Sequence, residues 1–111
     1  MNIGIIGQGF VGNAIYQKFK NYYDVYTYDL QAKLCNSTLE IINENCNIIF
    51  VCLPTPMDKD GRCHIGIVEE ALSDLEILAS IDQSEKIVII KSTIPPGTTK
   101  GWDKCFTFLD I

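Results

Sequence analysis

Positive charge is scarce in this sequence. Nine lysines and arginines face fourteen aspartates and glutamates, a formal net charge of −5 at pH 7. That balance argues against a nucleic-acid phosphate backbone as partner. Histidine occurs once, at His64, and no two cysteines form a C-x-x-C pair, so a zinc site is not expected. The five cysteines (Cys35, Cys46, Cys52, Cys63 and Cys105) are odd in number and lie 11, 6, 11 and 42 residues apart, which is no disulfide framework. They read as reduced thiols, with Cys52 inside a buried strand as a small hydrophobe. No apolar run approaches the ~18–20 residues of a membrane span. The start, Met1-Asn2-Ile3-Gly4, lacks the basic residues and cleavage site of a secretory signal, so a cytoplasmic protein is expected. Repeats and low-complexity segments are also absent. At 111 residues, the chain has room for one domain and not two.

What is present alternates in type. Ile3-Gly4-Ile5-Ile6 is a short, continuously apolar run that suits a strand buried on both faces. Phe10 to Lys20 carries apolar residues at Phe10, Val11, Ala14, Ile15 and Phe19, which is helical spacing. A strand over Asp24–Asp29 follows. Ser37 with Glu40 three positions on has the form of a capping box, predicting a helix from Thr38 to about Glu44. Whether Lys33 to Asn36 forms a scrap of strand is left open by the pattern. Asn47–Leu53 is a strong buried strand stopped by Pro54 and Pro56, and Asp58-Lys59-Asp60-Gly61 is turn material. The spacing predicts a helix over residues 65–80, a further buried strand over Lys86–Lys91, and a helix starting at Thr98, with Thr98 as its N-cap. Strands of this kind alternating with helices predict an α/β domain with a doubly wound, mostly parallel, Rossmann-like sheet. Ligands in such sheets bind outside the carboxyl ends of the strands, where every unusual motif of this chain falls.

The first motif is Gly7-Gln8-Gly9-Phe10-Val11-Gly12, a G-x-G-x-x-G between the first strand and first helix. Its first glycine permits a tight turn, its second leaves room for a pyrophosphate, and its third lets helix and strand pack closely. The helix start then offers unpaired N–H groups to the phosphates. Asp29 ends the second strand 29 − 9 = 20 residues beyond the middle glycine, where a ribose-binding acid belongs. A carboxylate there accepts from ribose hydroxyls and repels a 2′-phosphate, so NAD is expected over NADP. The plainer reading makes the glycines a turn and Asp29 a solvated strand end; the ordered coincidence of strand, glycines, helix, strand and acid favours the dinucleotide.

Two further motifs end the next strands: Leu53-Pro54-Thr55-Pro56, and Lys91-Ser92-Thr93-Ile94-Pro95-Pro96-Gly97-Thr98-Thr99. Taken singly, each reads as a strand terminator followed by a helix cap. With the glycine turn and Asp29, and in this order, they make residues 1–100 resemble the N-terminal domain of the UDP-glucose/GDP-mannose (nucleotide-sugar) dehydrogenase family. The resemblance implies a domain of an NAD-dependent enzyme that oxidises a sugar-nucleotide primary alcohol to the carboxylate in two steps. It also implies roles for residues. Gly7, Gly9, Phe10, Val11 and Gly12 would meet the cofactor around its diphosphate, and Asp29 the adenosine ribose. Leu53, Pro54, Thr55 and Ser92 would line the cofactor crevice, and Thr93 would be the catalytic hydroxyl near the reacting carbon.

Departures from the family pattern matter as much. Lys91 stands where many members have glutamate, so no role is assigned to it. If Phe108-Leu109 match a later motif of the family, Thr107 takes the place of its catalytic glutamate. Cys105 lacks the glycine-rich surroundings of the family's nucleophile, and adjacent Cys63 and His64 point apart too readily to form a catalytic pair, His64 belonging at the start of the next helix. The family's substrate lysine, asparagine and cysteine lie in later domains, so a substrate domain is expected to be missing. The chain alone is then expected to be inactive, with a nucleotide sugar as substrate only if the missing domain is supplied, and an exposed sheet edge after Ile90 is expected to associate, in a homo-oligomer or with that domain. Two other classes compete. One is a free-standing NAD-sensing module without catalysis, which would not need the hydroxyls of Ser92–Thr99. The other is an unrelated NAD oxidoreductase of the hydroxyacid or prephenate type, against which the P-T-P segment argues.

Overall fold

Apolar strand runs and amphipathic stretches alternate along the chain, and the strands pair into one parallel sheet. The computed structural model describes residues 1–31, 33, 35–57, 59–61 and 64–111. Its elements are β1 (Asn2–Ile6), α1 (Phe10–Phe19), β2 (Asp24–Tyr28), α2 (Leu39–Asn45), β3 (Ile48–Val51), α3 (Gly66–Asp82), β4 (Lys86–Ile90), α4 (Thr98–Cys105) and β5 (Leu109–Asp110). The strand order is β2-β1-β3-β4-β5 with every pairing parallel, the doubly wound α/β architecture that the alternation predicts. Residues 33, 35 and 36 form no strand.

Crossover handedness sets the layers. β1 passes through α1 to β2 on one side, whereas the other three crossovers step the opposite way. Right-handed connections therefore place α1 alone on one face and α2, α3 and α4 on the other. On the three-helix face, Ile6, Ile49, Val51 and Val88 of the sheet meet Ile42, Leu72, Leu75 and Trp102 in one buried cluster. A fully buried aliphatic side chain of this size contributes roughly 1.5–3 kcal/mol.

The other face is only half covered. Register puts Ile3, Ile48 and Ile87 side by side, and Ile5 with Phe50 and Ile89. α1 buries Ile3 and Ile5, and its Phe19 reaches Phe50 with 6.0 Å between ring centroids. Among the described residues no helix returns over β4 on this face, and Ile87 is 51% and Ile89 37% exposed. The Lys86–Lys91 run is thus a strand buried on one face, not on two. α1 departs from expectation in the same way. Phe10 is 95% exposed, Val11 and Ala14 are exposed, and the buried residue of this helix is Gly12.

Both helix caps sit one residue away from the expected place. α2 is capped by Thr38, whose hydroxyl accepts from the Ile41 N–H at 3.2 Å, while the Ser37 hydroxyl is buried without a partner. The Ser37–Glu40 capping box therefore does not form. α4 is capped by Gly97 at φ +85°, and Thr98 instead donates its hydroxyl back to the Pro95 carbonyl at 2.7 Å. The left-handed turn after the di-proline needs glycine at the cap, which displaces threonine by one position.

Side chains brace the amino ends of the strands. Lys86 is 2% exposed, and its ammonium donates to the Asn43 and Cys46 carbonyls at 2.5 and 2.9 Å, satisfying the carboxyl end of α2. Asn43 in turn donates to the Asp82 carboxylate at 2.6 Å. Glu76 of α3 accepts from the Thr107 and Phe108 N–H groups just before β5. On the outer edge of β2, the Asn36 side chain accepts from the Thr27 N–H and donates to the Val25 carbonyl, while the Thr27 hydroxyl accepts from the Asn36 N–H.

Candidate functional site

At the carboxyl end of the sheet the glycine turn takes the conformation its spacing implies. Gly7 adopts φ +100°, and a Cβ placed on it would lie 2.6 Å from the Cys52 carbonyl oxygen. A Cβ on Gly12 would lie 1.8 Å from the Gly7 carbonyl oxygen, so α1 packs against the turn at a distance only glycine allows. Gly9 is different: nothing lies within 4 Å of its missing side chain. It is the N-cap of α1 and provides no side-chain cap, and the first turn of that helix holds no acidic residue. Those first N–H groups are therefore left for a ligand, with the positive end of the helix dipole behind them.

Backbone bonds tie the strand exits together. Gly7 N–H donates to the Tyr28 carbonyl, Cys52 N–H to Ile6 and Lys91 N–H to Val51, at 2.7, 2.7 and 2.8 Å. Around them opens a crevice of about 530 Å³. It lies over the point where strand order reverses between β1 and β3. From the expected residues it gathers Gly9, Phe10, Val11, Asp29, Leu53, Pro54, Thr55, Ser92 and Thr93 on its walls. Gly7 and Gly12 are buried beneath it and shape it from below.

Asp29 is held in place by the backbone. Its Oδ2 accepts the Gln8 N–H at 2.7 Å and its Oδ1 accepts the Gln31 N–H at 2.8 Å. A carboxylate has about four acceptor directions, so two stay open for hydroxyl donors. The first contact also locks the glycine turn to the end of β2. Ser92 donates its hydroxyl to the Leu53 carbonyl at 2.6 Å, joining the two proline-rich exits and retaining acceptor capacity. Thr93, one residue on, is exposed at the mouth, and Thr55 is half-buried.

Four further residues line the crevice: Leu30, Gln31, Cys52 and Lys91. Cys52 is a correction. β3 ends at Val51, so Cys52 lies past the strand, half-buried in the crevice wall. Burial pushes its thiol up from 9.0 to about 11, with Lys91 pulling weakly the other way. At neutral pH it is a protonated thiol and no nucleophile. Leu30 and Gln31 could have been found by looking immediately past the strand-ending acid; the Gln31 contribution is a main-chain N–H, for which side-chain identity gives no signal.

The residues set aside in the sequence lie elsewhere. Thr107 precedes β5 at the amino end of the sheet, away from the crevice, because β5 pairs in register with the start of β4. It cannot stand in for a glutamate at the site. Cys105 is exposed at the end of α4. Cys63 and Asp58 lie outside the described residues; His64 stands two residues before α3, its N–H donating to the Pro56 carbonyl at 2.7 Å. Among the described residues no group of three histidines, cysteines or carboxylates is placed to hold a metal ion, and no helix is long and apolar enough to cross a membrane.

The sequence matches the UDP-glucose/GDP-mannose dehydrogenase family, NAD binding domain, over residues 24–107. The match begins at β2, so it takes in Asp29 and both proline-rich exits but not the glycine turn, whose reading rests on its geometry. Over 58 residues, 52% of this chain, the sequence is 35% identical to a putative UDP-glucose 6-dehydrogenase of Bacillus subtilis, of which the aligned part is 13%. Two solved structures share the fold. GDP-mannose dehydrogenase of Pseudomonas aeruginosa aligns with 99% of this chain at a TM-score of 0.84 and 17% identity, and UDP-glucose dehydrogenase of Pyrobaculum islandicum with 89% at 0.81 and 20%. The chain covers 35% and 30% of those two proteins, and 6–13% of the curated relatives that its sequence matches.

Proposed function

This chain belongs to the UDP-glucose/GDP-mannose dehydrogenase family as an NAD-binding domain, and from that premise we propose that it serves the oxidation of a sugar-nucleotide primary alcohol to the carboxylate. Residues 1–111 supply the cofactor half of the site, and a substrate-binding domain outside them supplies the other. Asp29 carries this reading: its carboxylate is fixed by two backbone N–H groups at the crevice with acceptor positions to spare.

When bound, NAD supplies the hydride acceptor; the residues of this chain bind and orient it. Gly9 leaves the space for the diphosphate, and the free N–H groups at the start of α1 receive its charge. Asp29 accepts from the adenosine ribose hydroxyls and disfavours a phosphate there, which selects NAD over NADP. Leu53, Pro54, Thr55 and Ser92 form the opposite wall. The Thr93 hydroxyl, exposed beyond the Ser92–Leu53 tie, orients the water or the oxyanion that develops at the reacting carbon; losing one such donor costs ~10²–10³ in rate in a complete site.

Reaction requires cofactor and substrate held about 3–3.5 Å apart in a closed site. The isolated chain is therefore expected to bind NAD and to make no NADH from UDP-glucose. Calorimetry with NAD and NADP, and absorbance at the reduced-nicotinamide band, check both. Asp29→Ala should weaken NAD binding tenfold or more, in line with a charge-assisted bond of roughly 1.5–3 kcal/mol. Unchanged affinity in that variant, or NADH production by the 111-residue chain, would overturn the proposal.

A further inference from the structure

The dinucleotide crevice carries opposite charges at its two ends. Among the described residues on its walls, Asp29 is the one carboxylate and Lys91 the one ammonium. Strand order β2-β1-β3-β4 sets their exits three steps apart, roughly 14 Å at the usual spacing of neighbouring strands. The glycine turn stands between them, at the exit of β1.

Lys91 continues the sheet one bond past β4, its N–H donating to the Val51 carbonyl at 2.8 Å. Extending the Phe50↔Ile89 and Val51↔Ile90 register brings it level with Cys52. Alternation places both side chains on the α1 side of the sheet. The ammonium lies near enough to the half-buried Cys52 thiol to draw its pKa down against burial. No carbonyl or carboxylate of the described residues takes up that ammonium. Lys86, on the same strand, shows the contrast: its ammonium is engaged by two α2 carbonyls. The charge of Lys91 is left to the crevice and the solvent.

A dinucleotide with its adenosine ribose at Asp29 and its diphosphate over Gly9 points its nicotinamide onward, to the exits of β3 and β4. Of its parts, only that ring changes charge in the oxidation of an alcohol. A C–H bond of the alcohol carbon breaks, hydride bonds to the ring, and the hydroxyl proton leaves to solvent, so a cationic ring becomes neutral. Resting on the NAD reading above, we infer that Lys91 sets the redox preference of the site: its ammonium repels the oxidised ring, and the reduced cofactor is held more tightly. Tighter binding of the reduced form raises the potential of the bound couple, by about 30 mV for each factor of ten. Bound NAD is thereby a stronger oxidant of the alcohol. A contact to the diphosphate would instead strengthen both forms equally and cancel from their ratio.

The test titrates the full 111-residue chain with NAD and with NADH by calorimetry at low ionic strength, then repeats both for Lys91→Met and Lys91→Arg. Lys91→Met should lower the ratio of NADH to NAD affinity about tenfold, the size of effect that two like charges produce several ångströms apart in a half-open site. Lys91→Arg keeps the charge and should keep the ratio. Added salt should shrink the difference between the parent and Lys91→Met. Lys91 is exposed and joins the sheet through its main chain, so the thermal midpoints of the variants should match that of the parent. An unchanged ratio in Lys91→Met overturns the inference and leaves the cofactor reading intact, whether both affinities fall together or neither moves. An equal drop in Lys91→Arg does the same. Failure of the unmodified chain to bind either form overturns the cofactor reading itself, and this inference with it.

Discussion

The two ends of the sheet are built on opposite plans. At the amino end, side chains close the backbone: the Lys86 ammonium takes the carbonyls at the end of α2, Asn43 reaches Asp82, and Glu76 receives two N–H groups ahead of β5. At the carboxyl end, Asp29 and Ser92 brace the exits, but the start of α1 has a glycine cap with no side chain to close it and space above Gly9. One end takes up these backbone groups with side chains of the fold itself. The other holds donors and acceptors in fixed positions for a ligand.

Substitutions should separate the two plans. Gly12→Ala has the largest expected effect, because the added Cβ meets the Gly7 carbonyl oxygen at 1.8 Å and neither backbone can yield without moving the turn. It should cost about 3 kcal/mol of stability by urea denaturation and abolish NAD binding. Retained NAD affinity would show that the open end tolerates rearrangement. Lys86→Met acts at the closed end. Two α2 carbonyls lose their donor, so stability should fall by about 2 kcal/mol while NAD affinity stays unchanged. A parallel loss of affinity would mean that the two ends are coupled.

Alkaline titration gives a smaller, graded contrast, since a thiol shielded from solvent sits near each end, Cys46 buried and Cys52 half-buried. Burial pushes both Cys46 and Cys52 from 9.0 to about 11. A thiol whose folded pKa is raised contributes stability that is complete below pH 9 and is lost as pH rises towards 11. Lys86 works in the opposite sense. Burial lowers its pKa below 10.5, against the pull of Cys46 and Asp82, so in that window the unfolded chain binds more protons and stability rises with pH. Cys46→Ala removes one thiol contribution, so between pH 9 and 11 the variant should lose less stability than the parent as pH rises; coincident profiles would contradict the burial argument for Cys46.

Much of this was legible in the residues. Apolar runs bounded by glycine and proline mark β1, β3 and β4, and the interval from Gly9 to Asp29 points to the site before any coordinates are seen. Less legible was anything decided by what packs above a strand. The isoleucines of Lys86–Ile90 read the same whether one face is covered or two, and the topology alone leaves Ile87 bare. Cys52 looked like core because the apolar run continues past Val51, the last residue of β3. The conditional match of Phe108-Leu109 that would put Thr107 at the site fails because a dipeptide carries no information on strand register. Ser37 lost the cap to Thr38 because either hydroxyl suits the sequence pattern, and only the Ile41 N–H selects between them.

Asn36 gives the sheet a direction of growth. By filling the outer side of β2 at Thr27 and Val25, it occupies hydrogen-bonding positions that an incoming strand would need. β2 is therefore a terminus of the sheet in the sense that a capped monomer is the terminus of a polymer. Copies of this chain cannot zip together along that flank without first displacing an amide that already mimics a neighbour.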